Sequence, residues 1–256
     1  MSQSPFKKSV VLLLVLLLPL LIFLPLVAHT QGNTIAYALY NSSNQNLTNF
    51  AMDPATDPPQ SRNVWGIFSR GDDVPDFIDD TVANPPDPEG GIIRSSDEDT
   101  FFGVQDLQTQ FNPSGTGTVT WTFDISSATM PSLTLSVDVG AMGDWVSNND
   151  FGHFTFDYRI DGGAWQTAIS TTTEVGASQT YTFEDGSSVQ LDNPLAIDGI
   201  LLNNYFQTFS TAIGNGDELQ LRFNAMSEGD LEVFAFRNIL ITAEPYASYL
   251  PVIRMD

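Results

Sequence analysis

Cysteine is absent from all 256 residues, which excludes disulfide scaffolds, thiolate metal sites, thiol nucleophiles and lipidated cysteines. Positive charge is scarce: nine lysines and arginines stand against 31 aspartates and glutamates, a formal charge of -22 and a pI near 4.1. Phosphate backbones are bound by basic surfaces, so no nucleic-acid partner is expected. An uncharged or cation-bridged polymer suits such a chain better than an anionic one. The only lysines are Lys7 and Lys8, and the only histidines His29 and His153. Beyond residue 30, therefore, neither a lysine nucleophile nor a multi-histidine metal site can be assembled. What is plentiful is apolar and aromatic: 42% hydrophobic and 11% aromatic residues argue for a packed core rather than an acidic disordered chain.

Lys7 and Lys8 precede an apolar run from Val10 to Ala28, interrupted by Pro19 and Pro25, and the first acidic residue is Asp53. A basic start, an apolar middle and small residues near Ala28 and Thr30 are the layout of a secretory signal. Residues 1–30 are expected to be a signal peptide and the rest secreted or extracellular. The run is also about the ~18 to 20 residues a bilayer requires, so the alternative is a membrane anchor left uncleaved.

From about Ile35 onward the apolar residues recur with period two, the signature of half-buried strands. Val119, Trp121, Phe123 and Ile125 alternate with threonines and Asp124, and Leu133, Leu135, Val137 and Val139 alternate with Ser, Thr and Asp. Phe154, Phe156, Tyr158 and Ile160 form a third inward row, with His153, Thr155, Asp157 and Arg159 outward. Asp161-Gly162-Gly163 then reads as a tight hairpin leading into a returning strand with Trp165, Thr167 and Ile169. Leu219, Leu221, Phe223 and Ala225 make a fifth row, and Val233 to Ile241, apolar nearly throughout, reads as a central strand covered on both faces. With no convincing amphipathic helix, the expected fold is all-β: an antiparallel two-sheet β-sandwich, or jelly roll, over residues 34–243. Residues 45–94 are expected as long Pro- and Asp-rich loops with one strand at Val64 to Phe68, and residues 244–256 as an extended tail. Trp65, Trp121 and Trp165 read as structural.

Four segments, Phe101-Phe102-Gly103-Val104-Gln105-Asp106, Phe156 to Trp165, Leu219 to Phe223 and Glu232 to Ile239, together resemble secreted bacterial jelly-roll modules. These are concanavalin-type or galactose-binding-type sandwiches that accompany extracellular nucleases, adhesins and cell-surface proteins. The resemblance covers residues 64 to 243 and implies a non-catalytic module for glycans or matrix. In such modules an Asp often precedes the Asn-Ile pair of the last strand. Arg237 stands there in this chain.

Three sets of residues carry chemistry. Acidic loops at Asp72, Asp73, Asp76, Asp79 and Asp80, at Asp97, Glu98 and Asp99, and at Asp144, Asn148, Asn149 and Asp150 supply the hard oxygens that calcium takes, with solvated loops as the plain alternative. The metal candidates are Asp72, Asp73, Asp76, Asp144 and Asp150. Trp145, Asn149 and Tyr205, beside Asn203 and Asn204, combine ring faces with amides and are the candidate ligand contacts for a saccharide. Glu228, Asp230 and Glu232 are two apart, so a strand would project all three from one face. This resembles the Glu-x-Asp-x-Glu strand of laminarinase-like glycoside hydrolases, whose outer acids act as nucleophile and acid/base. Gly229 and Ser227 favour a turn there instead. His153 lies on an outward row without a partnered nucleophile, and Asn41-Ser42-Ser43 and Asn46-Leu47-Thr48 match the N-glycosylation pattern. The reading is an exported binding module for a glycan or cell-surface polymer, calcium-stabilised at its loops. A hydrolase using Glu228 and Glu232, or an adhesive protein working through edge strands or the C-terminal tail, are the alternatives.

Overall fold

The computed structural model describes residues 33–55, 64–72, 77, 79, 91–108, 112–147, 150–151, 153–227 and 232–243. The signal segment, the C-terminal tail, and Asp73, Asp76, Asp80, Asn148, Asn149, Glu228 and Asp230 lie outside them. The described residues form eighteen strands, in order: β1 Asn33–Tyr40, β2 Ser43–Gln45, β3 Leu47–Asp53, β4 Val64–Phe68, β5 Phe101–Gln105, β6 Thr116–Asp124, β7 Ser132–Met142, β8 Val146–Ser147 and β9 Asp150–Phe151. Then come β10 His153–Ile160, β11 Gln166–Thr173, β12 Ser178–Thr182, β13 Ser188–Asp192, β14 Leu195–Ile197, β15 Ile200–Leu201, β16 Gln207–Gly214, β17 Glu218–Met226 and β18 Val233–Ala243.

They form an antiparallel sandwich of two seven-stranded sheets. The first runs β16-β7-β18-β1-β2, with β5 also on β18 and β4 on β5. The second runs β15-β14-β11-β10-β17-β6-β3, and β12-β13 and β8-β9 are separate ribbons. Alternation puts each expected row where a sandwich needs it. Val119, Trp121 and Phe123 of β6, Phe154 and Phe156 of β10, and Leu219, Leu221 and Phe223 of β17 are all buried, while the intervening residues face out.

β18 holds the first sheet together. Along one side it pairs with β7; along the other, Phe234 to Phe236 pair with β5 and Ile239 to Ala243 with β1. The change of partner coincides with a bulge between Arg237 and Leu240, where Asn238 takes a φ of 53°; an amide side chain tolerates that left-handed backbone better than most. Phe236 touches Phe102 (centroids 5.1 Å apart), Phe223 (4.6 Å), Phe156 (5.0 Å) and Trp121 (5.8 Å), so one ring joins both sheets. Phe234 stacks on Phe154 at 4.0 Å. On the opposite face of the strand, Val233 and Ala235 belong to a second apolar cluster with Val64, Phe77, Phe101 and Tyr181. This is why β18 is apolar on both faces.

Two sequence expectations need correction. The stretch 45–94 is not only loop: β3 pairs with β6 from Leu47↔Phe123 to Asp53↔Thr118 and forms an edge of the second sheet. Its residues are mostly exposed, so the strand carries little apolar alternation to read. Trp165, expected on the returning strand with Thr167 and Ile169, precedes β11 and lies on the outer side with Arg159 and Arg222. The turn forms as expected, with Asp161 and Gly162 at φ 49° and 68° and Gly163 N donating to Ile160 O. The return strand, however, pairs Ile169 with Phe156 and Thr167 with Asp157, leaving Ala168 as an extra residue. That bulge turns Ile169 inward and Thr167 outward.

A nearly closed-off carboxylate adjoins the second cluster, on the backbone of its Ile93. Asp79 is 3% exposed and accepts a hydrogen bond from the Glu184 N–H (2.8 Å). Burial pushes its carboxyl above the ordinary range against the opposing pull of that bond, with Glu184 raising it further and Arg94 lowering it. A raised folded value means that Asp79 favours folding fully below its unfolded-chain pKa, and that this contribution is lost as pH rises through the folded one. Asp79→Asn keeps an oxygen for Glu184 N–H without the charge. The difference in Tm between this variant and the wild type should therefore shift in the variant's favour from pH 4 to pH 7; a constant difference would contradict it.

Phe236→Ala removes the ring shared by both sheets and should cost about 3–5 kcal/mol in urea denaturation. Ile67→Ala, at a side chain 42% exposed, should change stability by no more than about 0.5 kcal/mol.

Candidate functional site

The outer face of the second sheet carries a continuous polar side-chain network, half-buried along most of its length. Strand parity places Thr155, Asp157 and Arg159 of β10 beside Asn224, Arg222 and Gln220 of β17, and Thr118, Thr120 and Thr122 of β6 beyond them. Asp157 is the centre. Its Oδ2 accepts from Arg222 Nη2 and from Asn224 Nδ2, each at 2.9 Å, and its Oδ1 accepts from Thr167 Oγ1 at 2.9 Å. Asn224 Nδ2 also donates to Thr155 Oγ1 (3.0 Å), and its Oδ1 accepts from Thr118 (3.4 Å). Four strands are thus tied at the surface by neutral and charge-assisted hydrogen bonds.

One end of the network is an aromatic–cation cluster. Arg222 and Arg159 place their guanidinium carbons 4.2 and 4.6 Å from the centroid of the half-buried Trp165 ring, within cation–π range. Arg222 is paired with Asp157, whereas Arg159 directs Nε and Nη2 to the neutral Gln220 Oε1 at 2.8 and 2.6 Å. Gln220 Nε2 in turn donates to Glu218 at 2.9 Å.

The other end is a half-open cleft of about 250 Å³ lined by Asp53, Pro54, Asn112, Ser114, Thr116, Gly117 and Thr118. Its hydroxyls and amides are pre-set: Asn112 Nδ2 donates to Thr116 O (2.8 Å), and Ser114 Oγ bonds both Asn112 Oδ1 (2.9 Å) and Thr116 Oγ1 (2.8 Å). Trp65 lies beneath. Its Nε1 donates to Pro54 O at 2.9 Å, and a Cβ on Gly117 would come within 2.7 Å of the indole ring. A glycine is required for that close approach.

The residues expected from the sequence are scattered. Trp145 is a correction: it is 0% exposed and meets Phe154 edge-on at 5.3 Å, so it offers no ring face to a sugar. Its loop returns to the core, where the indole buries more apolar area than it would at the surface. Tyr205 is 43% exposed, with Arg94 5.6 Å from its ring centroid, but it lies beside β7 of the first sheet, where its carbonyl would be 3.4 Å from a Cβ on Gly140. Asn204 is buried and donates to Gly91 O and Thr182 O.

Asp72 and Asp97 cap local turns, and Asp144 reaches a side chain 49 residues away. Asp72 Oδ2 accepts from Ser69 N (2.6 Å), Asp144 Oδ1 from Asn193 Nδ2 (2.8 Å), and Asp97 Oδ2 from Arg94 N (2.9 Å). Asp97 Oδ1 also forms an ion pair of 2.8 Å with Arg237, which occupies the position where the resembling modules carry Asp. Asp150 is described only through its backbone in β9. No group of three or more His, Asp or Glu side chains suited to a metal ion occurs among the described residues. Glu232 is 3% exposed just before β18. His153 is exposed on the outward row of β10, and Asn46 Nδ2 is tied to Ile35 O at 2.7 Å.

The Arg159–Trp165–Arg222 cluster was missed from the sequence. Both arginines fall on outward rows, a signal that was available. Their proximity depends on β10 and β17 being neighbours, and the position of the tryptophan on the β11 bulge.

No family model matches this chain, and no curated protein does. Among solved structures it is similar to the enzymatically active domain of bacteriophage CBA120 tailspike protein 4, with 9% identity and a TM-score of 0.32. The match covers 77% of this chain and 19% of that one, and a likeness of that size assigns neither family nor function.

Gly117→Ala should lower stability by about 1–3 kcal/mol, because Trp65 must move to admit the methyl group. Gly214→Ala, whose Cβ would sit 3.8 Å from Ile160, should be close to neutral. Equal melting temperatures for the two variants would show that Trp65 does not fix the cleft.

Proposed function

We propose that this protein is an exported, non-catalytic module that binds an extracellular glycan or surface polymer on the outer face of the second sheet. The observation that carries the proposal is the hydrogen-bonded row from the Trp165 ring through Asp157, Asn224 and Thr118 to the hydroxyl-lined cleft. A saccharide has apolar ring faces and many hydroxyls. Ring platforms, amides and hydroxyls already held in place satisfy both with little ordering on binding. The middle of the face, Asp157, Asn224 and Thr118, sits on β-strands, which keeps its spacing rigid.

Glu232 weighs against the hydrolase alternative. A nucleophile or general acid must touch its substrate, and this carboxylate is nearly closed off.

The test is affinity electrophoresis against a panel of neutral and acidic polysaccharides. The double variant Asn224→Ala, Thr118→Val removes two hydrogen-bonding groups from the middle of the row and should weaken retention about 10-fold or more, with circular dichroism unchanged. Retention by none of the polymers, or a folded double variant that binds like the wild type, would refute the proposal.

A further inference from the structure

We infer that the saccharide bound on this face carries a carboxylate, as in a uronic-acid unit, and that Arg159 receives it beside Trp165. The inference rests on the binding reading above and adds the chemical class of the ligand. Beyond residue 30 the chain has seven arginines and no lysine, yet two of the seven converge on one indole ring. Their charges are used differently. Arg222 is compensated by Asp157 at 2.9 Å. Arg159 has no ion pair among the described residues; its Nε and one Nη2 hydrogen share the single oxygen of a neutral amide. Glu218, which accepts from the Gln220 amide nitrogen, and Asp161 and Asp217 at the same strand ends form no ion pair with Arg159 among the described residues.

A guanidinium carries five N–H donors in a flat fork. With the Nε side anchored on Gln220, the Nη1–Nη2 end remains for a ligand, and that end matches the two oxygens of a carboxylate. Anchoring also fixes the fork before binding, so little rotamer freedom is lost. Trp165 is only half-buried, and the part of its ring that the guanidiniums leave uncovered is where the apolar face of the same sugar would lie, a surface a free anion would not need. Net charge does not forbid this. At physiological ionic strength, charges beyond about 8 Å are largely screened, so the groups around Arg159 decide the contact, not the sum over the chain.

The experiment compares retention of the purified protein by polygalacturonate and by the same polymer with its carboxylates methyl-esterified, at about 0.15 M salt, with alginate, hyaluronate and neutral galactan alongside. Acidic polymer should be retained at least about 10-fold more strongly than its ester or galactan. Arg159→Gln should bring the acidic polymer down to the ester level, a loss at least about 10-fold larger than the one it causes for the ester or the galactan. Arg159→Lys, which keeps the charge without the fork, should fall between, and Trp165→Ala should weaken acid and ester alike. Equal retention of acid and ester, or an Arg159→Gln variant of unchanged Tm that binds acid like the wild type, overturns the carboxylate inference and leaves the binding proposal standing. Retention of only the neutral polymers does the same, whereas no retention of any polymer overturns both.

Discussion

Phe236 crosses the interior from the middle of β18 and meets Phe156 and Phe223 of the opposite sheet as well as Phe102 of its own. With Phe234 stacked on Phe154, this aromatic contact fixes how the sheets lie against each other. The rest follows from it. Once Phe154, Phe156 and Phe223 are committed inward, strand geometry commits Thr155, Asp157, Arg222 and Asn224 outward, in register across β10 and β17. The polar face is the reverse side of the core.

Two bulges adjust this arrangement. The extra residue at Ala168 lets β11 bury Ile169 while its preceding residues stay on the solvent side, which brings Trp165 over the arginines. The irregularity at Asn238 lets β18 leave β5 and take up β1 without leaving β7. In both places one residue out of step does what a regular ladder cannot: it turns a side chain to the other face, or passes a strand between two neighbours.

Acidity shapes the molecule locally more than globally. Asp72 and Asp97 hold turns by accepting backbone hydrogens, Asp144 and Asp161 tie together segments far apart in the chain, and Asp157 organises the sheet face. Serine donors hold the exposed Asp124, Glu184 and Asp185 carboxyls below their usual range. Cations are too few to pair with these acids, so nearly every described arginine is employed: Arg237 against Asp97 and Phe206, Arg94 on Thr182 O and Tyr205, Arg222 on Asp157. Arg159 and Arg94 both have neutral partners, but only Arg159 shares its aromatic ring with a second arginine.

Alternating strands such as β6, β7, β10 and β17 were readable because their burial is one-sided, and β18 because an unbroken apolar strand needs cover on both faces. β3, β12 and β13 were not, since edge and ribbon strands are largely exposed and leave no strong period. The same limit explains the site. Which residues point outward on β10 and β17 is a matter of parity, and parity is local. That Arg159 and Arg222 share an indole, that Trp145 is enclosed by the core, and that a cleft opens over Trp65 depend on strand order, a one-residue bulge and a glycine contact. Those are set by residues tens of positions apart packing together, so the sequence alone determined the two faces of each strand, and the tertiary structure decided which of them meet.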